Sequence, residues 1–393
     1  MEGLEEHLAE EIACEPDPAN KTALANETNP TTEDWLRLHA LEFAPHRLNS
    51  LLEAYGGNPA AVFQAAPSDW KARQPQLGEK RLAKMAAVRR LDFFKTLGAM
   101  EKHQTRLVTV RDPVYPANLR PLPDAPPVLF LRGALIPEDK FSIAIVGSRR
   151  ATSYGLVLAR QFARELAAHG LALVSGGASG VDTEAHRGAL EGGGRTLAFL
   201  GCGVDIAYPS GNRKLFGEIA DGRGAILSEF GMEDRPEPWH FPARNRLISG
   251  SSLGVLVIES PADSGSLITA REAGDQGREV FAIPGPIGLG HNTGCHKLIQ
   301  DGAKLVESVD DILSELGVLA LRSPEAAPAA RPIPNLPPEQ RRILDMLTLQ
   351  PRQVEGMITE SKLSAPQVTG ILTLLELRGL AKRVPGNSFI RVL

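Results

Sequence analysis

Six short apolar runs dominate residues 141–313, and each is followed by glycine or small polar residues and then by an amphipathic segment. The runs begin at positions 142, 171, 196, 225, 255 and 280 and consist almost entirely of aliphatic side chains. Strands that are buried on both faces form continuous apolar runs, and strands that alternate with helices form parallel sheets. The pattern therefore predicts an α/β domain with a doubly wound parallel sheet, which binds ligands at the carboxyl ends of its strands.

The 393 residues exceed what one hydrophobic core usually fills, so several domains are expected. Residues 1–34 carry ten acids against Lys21 alone, which predicts a disordered acidic tail. Helical spacing of apolar positions predicts a small all-helical domain over 35–100, either SAM-like or helix-hairpin-helix-like. The α/β domain should span 101–320, and a Pro- and Ala-rich linker should span 321–338.

Residues 339–393 are predicted to fold as a winged helix, because three helical segments precede two strands joined by a Pro385-Gly386-Asn387 turn. The third helix, Pro366 to Leu377, contains no Lys or Arg, which argues against reading of the major groove. Duplex DNA and a protein partner both stay open as its ligand. Similarly, residues 77–84 fit either a DNA-binding helix-hairpin-helix turn or a turn that only packs two helices.

Charge and cysteine content limit the cellular setting. The net charge of −4 hides two basic segments, since residues 35–100 hold ten Lys and Arg against five acids and residues 331–393 hold nine against five. These cations are either solvated helix faces or contacts for a polyanion. No apolar run approaches the roughly 18 to 20 residues that span a bilayer, and Cys14, Cys202 and Cys295 show no metal or disulfide spacing. We expect a cytoplasmic protein with reduced cysteines and no membrane contact.

The candidate binding residues follow the predicted strands, where glycines allow close approach of a ligand and helix starts offer N–H groups to anions. They comprise small or hydroxyl-bearing residues, an amide and arginines or a lysine: Gly147, Ser148, Arg149, Ser175, Gly176, Gly177, Gly180, Arg213, Lys214, Phe241, Arg244, Asn245, Arg246, Ser264, Gly265, Ser266 and Thr269. Several such sites along one sheet edge suit a row of phosphates better than a single phosphate. The sequence thus favours a strand of nucleic acid, with Tyr154, Trp239 and Phe241 available to stack bases.

The sequence lacks the motifs of dinucleotide-binding, nucleotide-binding, hydrolytic and metal sites. The sequence contains neither the G-x-G-x-x-G dinucleotide fingerprint nor a Walker loop, and no G-x-S-x-G elbow, acid pair or metal-ligand cluster accompanies the strand ends. We therefore expect no cofactor, no metal and no catalytic residues. His186 is interpreted as a packed structural histidine, and Glu259 as a carboxylate that orients a partner.

The ordered motifs resemble the DNA-processing protein A family (DprA, also called Smf). The resemblance covers residues 107–317 and is carried by Gly147-Ser148-Arg149, Gly180-Val181-Asp182, Tyr208-Pro209, Phe241-Pro242-Ala243-Arg244-Asn245-Arg246 and Ser264-Gly265-Ser266-Leu267-Ile268-Thr269. It implies an extended Rossmann-like domain that binds single-stranded DNA without sequence preference. It also implies a homodimer that protects incoming DNA and helps to load the RecA recombinase in natural transformation, with Arg149, Arg213, Lys214, Arg244 and Arg246 facing phosphates.

One enzyme is the alternative. Nucleotide phosphoribohydrolases of the lysine-decarboxylase-like type have arginines before one strand and P-G-G-x-G-T-x-x-E after it. Residues 264–272 keep Thr269 and Glu272 of that motif but lack its paired glycines. Release of free base from nucleoside monophosphates would distinguish the enzyme from the DNA-binding protein.

Overall fold

The computed structural model describes residues 29–317, 336–348 and 351–391. Most of the predicted acidic tail and of the predicted linker lies outside the described residues, as does Cys14. The chain divides into two compact units: the first includes residues up to Phe43 and Asn49–Leu91, and the second includes Ala44–Leu48 and the residues from Asp92 onward. Within the described ranges, no helix has both the length and the apolar character needed to cross a membrane.

The first unit is all-helical, as predicted. It contains α1 (Thr32–Ala40), most of α2 (Pro45–Ala54), α3 (Pro59–Gln64), α4 (Pro67–Arg73) and α5 (Glu79–Val88). Helix α1 begins inside the predicted tail because Thr31 and Asp34 form a reciprocal capping box that satisfies first-turn N–H groups. Trp70 is fully buried, and its indole N–H donates to the carbonyl of Val62 at 2.6 Å.

The second unit begins before the predicted boundary at residue 101. Helix α6 (Phe94–Lys102) packs against strand β1 (Thr105–Thr109) and so belongs to the α/β unit. The periodicity of α6 is helical, and nothing in the sequence says which neighbour its apolar face covers. The boundary was therefore placed too late in the chain.

The six predicted strands are present in one nine-stranded sheet, and they are parallel to one another. They are β3 (Ser142–Gly147), β4 (Ala172–Ser175), β5 (Thr196–Phe199), β6 (Gly224–Ser228), β7 (Gly254–Ile258) and β8 (Glu279–Ala282). Three further strands were not predicted: β1, β2 (Val128–Gly133) and β9 (Lys304–Leu305). The order β1-β2-β6-β5-β4-β3-β7-β8-β9 changes direction between β3 and β7, which is the topological switch point of this doubly wound fold.

Strands β1 and β2 are antiparallel to each other, and β2 is antiparallel to β6. They extend the parallel sheet beyond β6 without a crossover helix, so the strand–glycine–helix pattern does not reveal them. The run Val128–Leu131 is nevertheless apolar and buried. Strand β9 has only two residues, too few for a recognisable pattern.

Helices cover both faces of the sheet. Ile143 and Ile145 of β3 point into one core with α7 (Ser153–Ala168), α8 (Val181–Glu191) and α13 (Val309–Glu315). Ala144 and Val146 point into the opposite core with α10 (His240–Gly250) and α11 (Ser266–Asp275). The alternation within β3 follows the two-residue period of a strand, and burial on both faces explains its continuous apolar sequence.

The C-terminal residues form the predicted winged helix. Helices α14 (Pro338–Met346), α15 (Val354–Ser361) and α16 (Ala365–Leu377) enclose one apolar core with the hairpin of β11 (Ala381–Val384) and β12 (Ser388–Arg391). Strand β10 (Arg352–Gln353) completes a three-stranded sheet. Gly386 and Asn387 both have positive φ, as the tight turn of this hairpin requires.

Gly147 allows β3 and β7 to meet closely at the switch point, and this closeness can be tested. A Cβ on Gly147 would lie 1.9 Å from the carbonyl oxygen of Ile258. We predict that Gly147→Ala lowers the free energy of unfolding by about 1–3 kcal/mol through overpacking, measured by urea denaturation. The control is Gly274→Ala within α11, where an added Cβ meets open space. This change should alter stability by less than about 1 kcal/mol. Equal midpoints for the two variants would contradict the close-packing argument.

Candidate nucleic-acid interface

A pocket of about 320 Å³ opens at the carboxyl ends of β3, β4 and β5. Three of the residues that line it are arginines, and none is acidic. The lining residues are Arg149, Arg150, Gly176, Ala178, Ser179, Gly201, Cys202, Tyr208, Pro209, Phe241 and Arg244. The pocket therefore offers positive charge, aromatic surface and small residues, which together suit a phosphorylated aromatic ligand.

Arg149 forms one wall of the pocket from the loop that follows β3. This loop is held against the loop that follows β4, because the N–H of Val181 donates to the carbonyl of Ser148 at 3.2 Å. A Cβ on Gly180 would lie only 2.4 Å from the same oxygen, so this contact requires glycine. The exposed guanidinium of Arg149 lies 5.0 Å from the centre of the Phe241 ring and makes no ion pair with any described residue. Its charge is thus available to an anion.

Arg244 forms the floor of the pocket and is only 3% exposed. Its Nη1 donates to the carbonyl of Gly176 at 2.6 Å and to the carbonyl of Phe199, which links α10 to the ends of β4 and β5. Its Nε has no partner among the described residues. Burial lowers the pKa of Arg244 to about 10, so the side chain stays cationic at neutral pH, and the nearby Asp182 opposes this shift. Arg244 thus places a positive charge at the floor of the pocket, which favours an anion there.

Asp182 adjoins this floor without facing the pocket. Its Oδ2 accepts the N–H of Ala178 at 3.2 Å, and a Cβ on Gly176 would collide with both Asp182 and Arg244. Burial raises the pKa of Asp182, and the charge of Arg244 opposes the rise. Asp182 and Arg244 are both buried, and each is hydrogen-bonded to the loop after β4. We therefore interpret the pair as a support for that loop.

The sequence suggested that the N-terminus of α7 offers its N–H groups to a bound anion, but this position is already occupied by a side chain of the protein. The buried carboxylate of Glu259 accepts the backbone N–H of Thr152 at 2.6 Å and also the Thr152 hydroxyl. A Cβ on Gly155 would lie 2.5 Å from Glu259 Oε2, so the missing side chain makes room for the carboxylate. The protein's own anion thus occupies this helix N-terminus, and the bonds of the Glu259 carboxylate are to Thr152 and not to an arginine side chain among the described residues.

Two further cations lie on α9 (Arg213–Glu218). The preceding Asn212 is buried and donates to the carbonyl of Gly177 at 3.0 Å, and the Phe216 ring lies within 3 Å of a Cβ built on Gly177. These contacts fix α9 against the loop after β4. Arg213 is exposed, and the Lys214 side chain is 92% exposed with a single long contact of 3.9 Å to Glu218. Both cations are open to solvent outside the pocket.

Two family models match the chain. The model described as DNA recombination-mediator protein A matches residues 106–317, and the model described as DprA winged helix domain matches residues 327–387. The chain belongs to the DprA family. The first match includes the whole nine-stranded sheet except the first residue of β1, and the second includes most of the winged helix.

Individual relatives agree with this assignment. Protein Smf of Synechocystis is 33% identical over 372 residues, which cover 84% of this chain and 93% of the relative. DNA processing protein DprA of Streptococcus pneumoniae is 44% identical over 207 residues, which cover 53% of this chain and 73% of the relative. The solved structure of the S. pneumoniae protein superposes with a TM-score of 0.65 at 36% identity, covering 73% of this chain and 99% of that one.

Within this DprA-family site, Arg246 does not face phosphates as the sequence suggested. It forms an ion pair with Glu229 and donates to the carbonyl of Asp124 at 2.8 Å. The reason is helical geometry: residues two apart on α10 are about 200° apart around the axis, so Arg244 and Arg246 point in different directions. Asn245 is also used internally, because its side-chain amide donates to the carbonyl of Gly265 at 3.3 Å.

The hydroxyl-bearing residues after β7 lie outside the pocket. The Ser266 hydroxyl is 2.8 Å from that of Ser264 and 2.9 Å from that of Ser260, and Thr269 is buried. The three serine hydroxyls are hydrogen-bonded to one another where α11 begins, and Thr269 is buried within that helix. Ser175 is buried as well, and its hydroxyl donates to the carbonyl of Ile145 at 2.7 Å. The hydroxyl groups that were expected to contact a ligand are therefore engaged in hydrogen bonds or packing inside the protein.

The pocket also includes residues that were not among the candidates. Arg150 and Ser179 adjoin predicted residues, and Tyr208 and Pro209 belong to a quoted motif, so a signal for each was present in the sequence. The Tyr208 ring lies 5.7 Å from the Phe241 ring, and the Tyr208-Pro209 peptide bond is cis. Cys202 lines the pocket, but burial raises the pKa of its thiol to about 11, so it is an inert thiol at neutral pH.

His186 is a structural residue, as interpreted from the sequence. Its ring is fully buried beneath α8 and lies outside the pocket. The Thr196 hydroxyl donates to the carbonyl of Leu173 at 2.8 Å, so His186 Nδ1 donates to Thr196 Oγ1 at 2.7 Å. Burial lowers the pKa of His186 to about 3, and the ring is neutral in the folded protein.

This neutral ring predicts acid sensitivity. Unfolding exposes His186 and restores its ordinary pKa of about 6.5, so the unfolded state gains a proton below that pH and stability falls as pH decreases. We predict that His186→Asn removes about 2 kcal/mol of the difference in unfolding free energy between pH 7.5 and pH 5, measured by urea denaturation. The exposed His291→Asn variant should keep the wild-type dependence. Identical pH profiles for both variants would refute a buried neutral role for His186.

Proposed function

We propose that this chain binds single-stranded DNA with little sequence preference and acts as a recombination mediator. The observation that carries the proposal is the pocket of Arg149, Phe241 and Arg244, in which two guanidinium groups accompany one half-buried aromatic wall. Membership of a recombination-mediator family supports the same role. Backbone phosphates would contact the arginines, and a base would lie against the aromatic surface.

The placement of the cations favours a polymer over a single nucleotide. Arg149 and Arg150 line the pocket, whereas Arg213 and Lys214 project from α9 beyond its lining. A mononucleotide would place its phosphate beside one of these cations, whereas a strand would place successive phosphates beside several of them. Contacts through phosphates and base stacking carry little sequence information, so binding of this kind tolerates every sequence.

The competing phosphoribohydrolase depends on Thr269 and Glu272, and neither lines the pocket. Thr269 is buried, and Glu272 is one turn further along α11. We therefore propose binding without catalysis, with no resident cofactor or metal. Incubation with nucleoside monophosphates should release no free base.

Arg149→Ala tests the proposed phosphate contact. We predict about tenfold weaker binding to unrelated single-stranded oligonucleotides, because one charge-assisted contact is lost. The slope of log affinity against log salt should become shallower by about 0.7, the value for one phosphate on a single strand. Fluorescence anisotropy at several salt concentrations measures both quantities.

Arg187→Ala is the matched control, because it also removes one exposed arginine but from the middle of α8, where Arg187 pairs with Glu184. Its affinity and salt slope should equal those of the wild type. Salt-independent binding by the wild type, or equal binding by the Arg149 variant, would rule out this phosphate site.

We further propose that the chain works in the cytoplasm as a homodimer that helps RecA to assemble on incoming single strands, as the family resemblance implies. Adding the protein should shorten the lag before RecA hydrolyses ATP on single-stranded DNA coated with single-strand-binding protein. The Arg149→Ala variant should restore the lag, and sedimentation should give twice the chain mass of 42.2 kDa. An unchanged lag with the wild type would remove the loading role and leave DNA binding intact.

A further inference from the structure

The three aromatics that the sequence marked for stacking have different surroundings. Tyr154 packs against the core on one face of the sheet, and Phe241 forms the pocket wall. Trp239, the residue before α10, is 65% exposed. An indole of this size on the surface leaves a large apolar area in water, and tryptophan is enriched at interfaces.

Trp239 is held in a defined orientation. Its ring meets the His240 ring edge-to-face at 4.1 Å and the Phe230 ring edge-to-face at 6.0 Å. His240 and Phe230 are themselves stacked at 3.8 Å, and both are buried. The exposed indole is therefore backed by fixed rings, so binding a flat ligand costs little side-chain entropy.

The same cluster connects Trp239 to the pocket. His240 Nδ1 is hydrogen-bonded to the carbonyl of Gly201 at 3.0 Å, and Gly201 lines the pocket. Trp239 directly precedes α10, whose first two turns carry Phe241 and Arg244, so the exposed indole is attached to the same helix as the floor of the pocket. We expect a strand that leaves the pocket over the start of α10 to reach Trp239.

Local charge selects the part of the strand that faces the indole. The exposed segment before Trp239 carries Glu233, Asp234 and Glu237 against Arg235 and so has a net negative charge, whereas the pocket lining carries arginines and no acid. Carboxylates repel phosphates, so the phosphates are drawn toward the arginines and a base is left facing Trp239. A protein partner would not require positive charge in the pocket and negative charge beside Trp239.

We infer that Trp239 is a second base-stacking platform, which binds the nucleobase adjacent to the nucleotide whose phosphate occupies the Arg149 and Arg244 pocket. This inference rests on the proposed single-stranded DNA binding. It assigns the pocket arginines to phosphate and the exposed indole to a neighbouring base. Loss of one base–aromatic stack weakens single-strand binding by about 5- to 150-fold.

Intrinsic fluorescence tests the inference on the unmodified full-length protein. The chain has three tryptophans, and Trp35 and Trp70 are buried at 6% and 0% exposure, so Trp239 is the one that acrylamide quenches and that DNA can cover. An oligothymidylate of about 16 nucleotides should quench this emission and protect it from acrylamide. An abasic oligonucleotide of equal length should bind through its phosphates without quenching.

Variants separate stacking from phosphate contact. Trp239→Ala should bind oligothymidylate about 5- to 150-fold more weakly with an unchanged salt slope, and Trp239→Phe should recover most of the affinity. Arg149→Ala should lose salt slope but keep the full quenching at saturation. Equal thermal unfolding of the Trp239 variants and the wild type establishes that folding is unaffected.

The outcomes distinguish the two proposals. If the wild type binds oligothymidylate while its emission stays unchanged and Trp239→Ala binds equally well, the second platform is refuted and the proposed function stands. If the wild type binds no single-stranded DNA, the proposed function fails and the platform fails with it. Quenching together with a base-dependent loss in Trp239→Ala supports the platform.

Discussion

The buried guanidinium of Arg244 joins three elements at the carboxyl edge of the sheet. Its hydrogen bonds to the carbonyls of Gly176 and Phe199 link α10 to the ends of β4 and β5. Strand ends and loops carry carbonyls without strand partners, and leaving such groups buried and unpaired costs free energy. Arg244 satisfies two of them and keeps a cation at the floor of the pocket. The same side chain thus completes the fold and creates the site.

A second constraint fills one helix N-terminus with the protein's own carboxylate. In many doubly wound folds the helix after the first parallel strand receives a phosphate at its N-terminus. Here Glu259 fills that position at the start of α7, and Gly155 provides the space. The positive pocket consequently lies to one side, over β3, β4 and β5, where the lining residues include no acid. This arrangement explains why the fold carries no dinucleotide fingerprint and yet keeps a place for phosphates.

Rigid loops make the pocket a preformed receptor. Gly180 brings the loop after β4 against the carbonyl of Ser148, while Gly177 receives the ring of Phe216. Asn212 closes the arrangement from the α9 side. Loops that are already ordered lose little conformational entropy on binding, so more of the interaction energy appears as affinity. The exposed arginines then act from fixed positions even though the chain as a whole is acidic.

The sequence by itself determined the fold class, because strands buried on both faces must be apolar throughout and the helices between them must be amphipathic. It also determined the winged helix and the strand ends at which Arg149, Gly176 and Phe241 lie. Only the tertiary structure decided that Arg244 enters the pocket while Arg246 pairs with Glu229, since the periodicity of a helix says nothing about which neighbours surround it. It also decided that the Ser266 hydroxyl is hydrogen-bonded internally, that Thr269 is buried and that Glu259 fills a helix terminus. The ion pair of Arg246 and the position of Glu259 depend on residues distant in the chain, which no local pattern of sequence brings together.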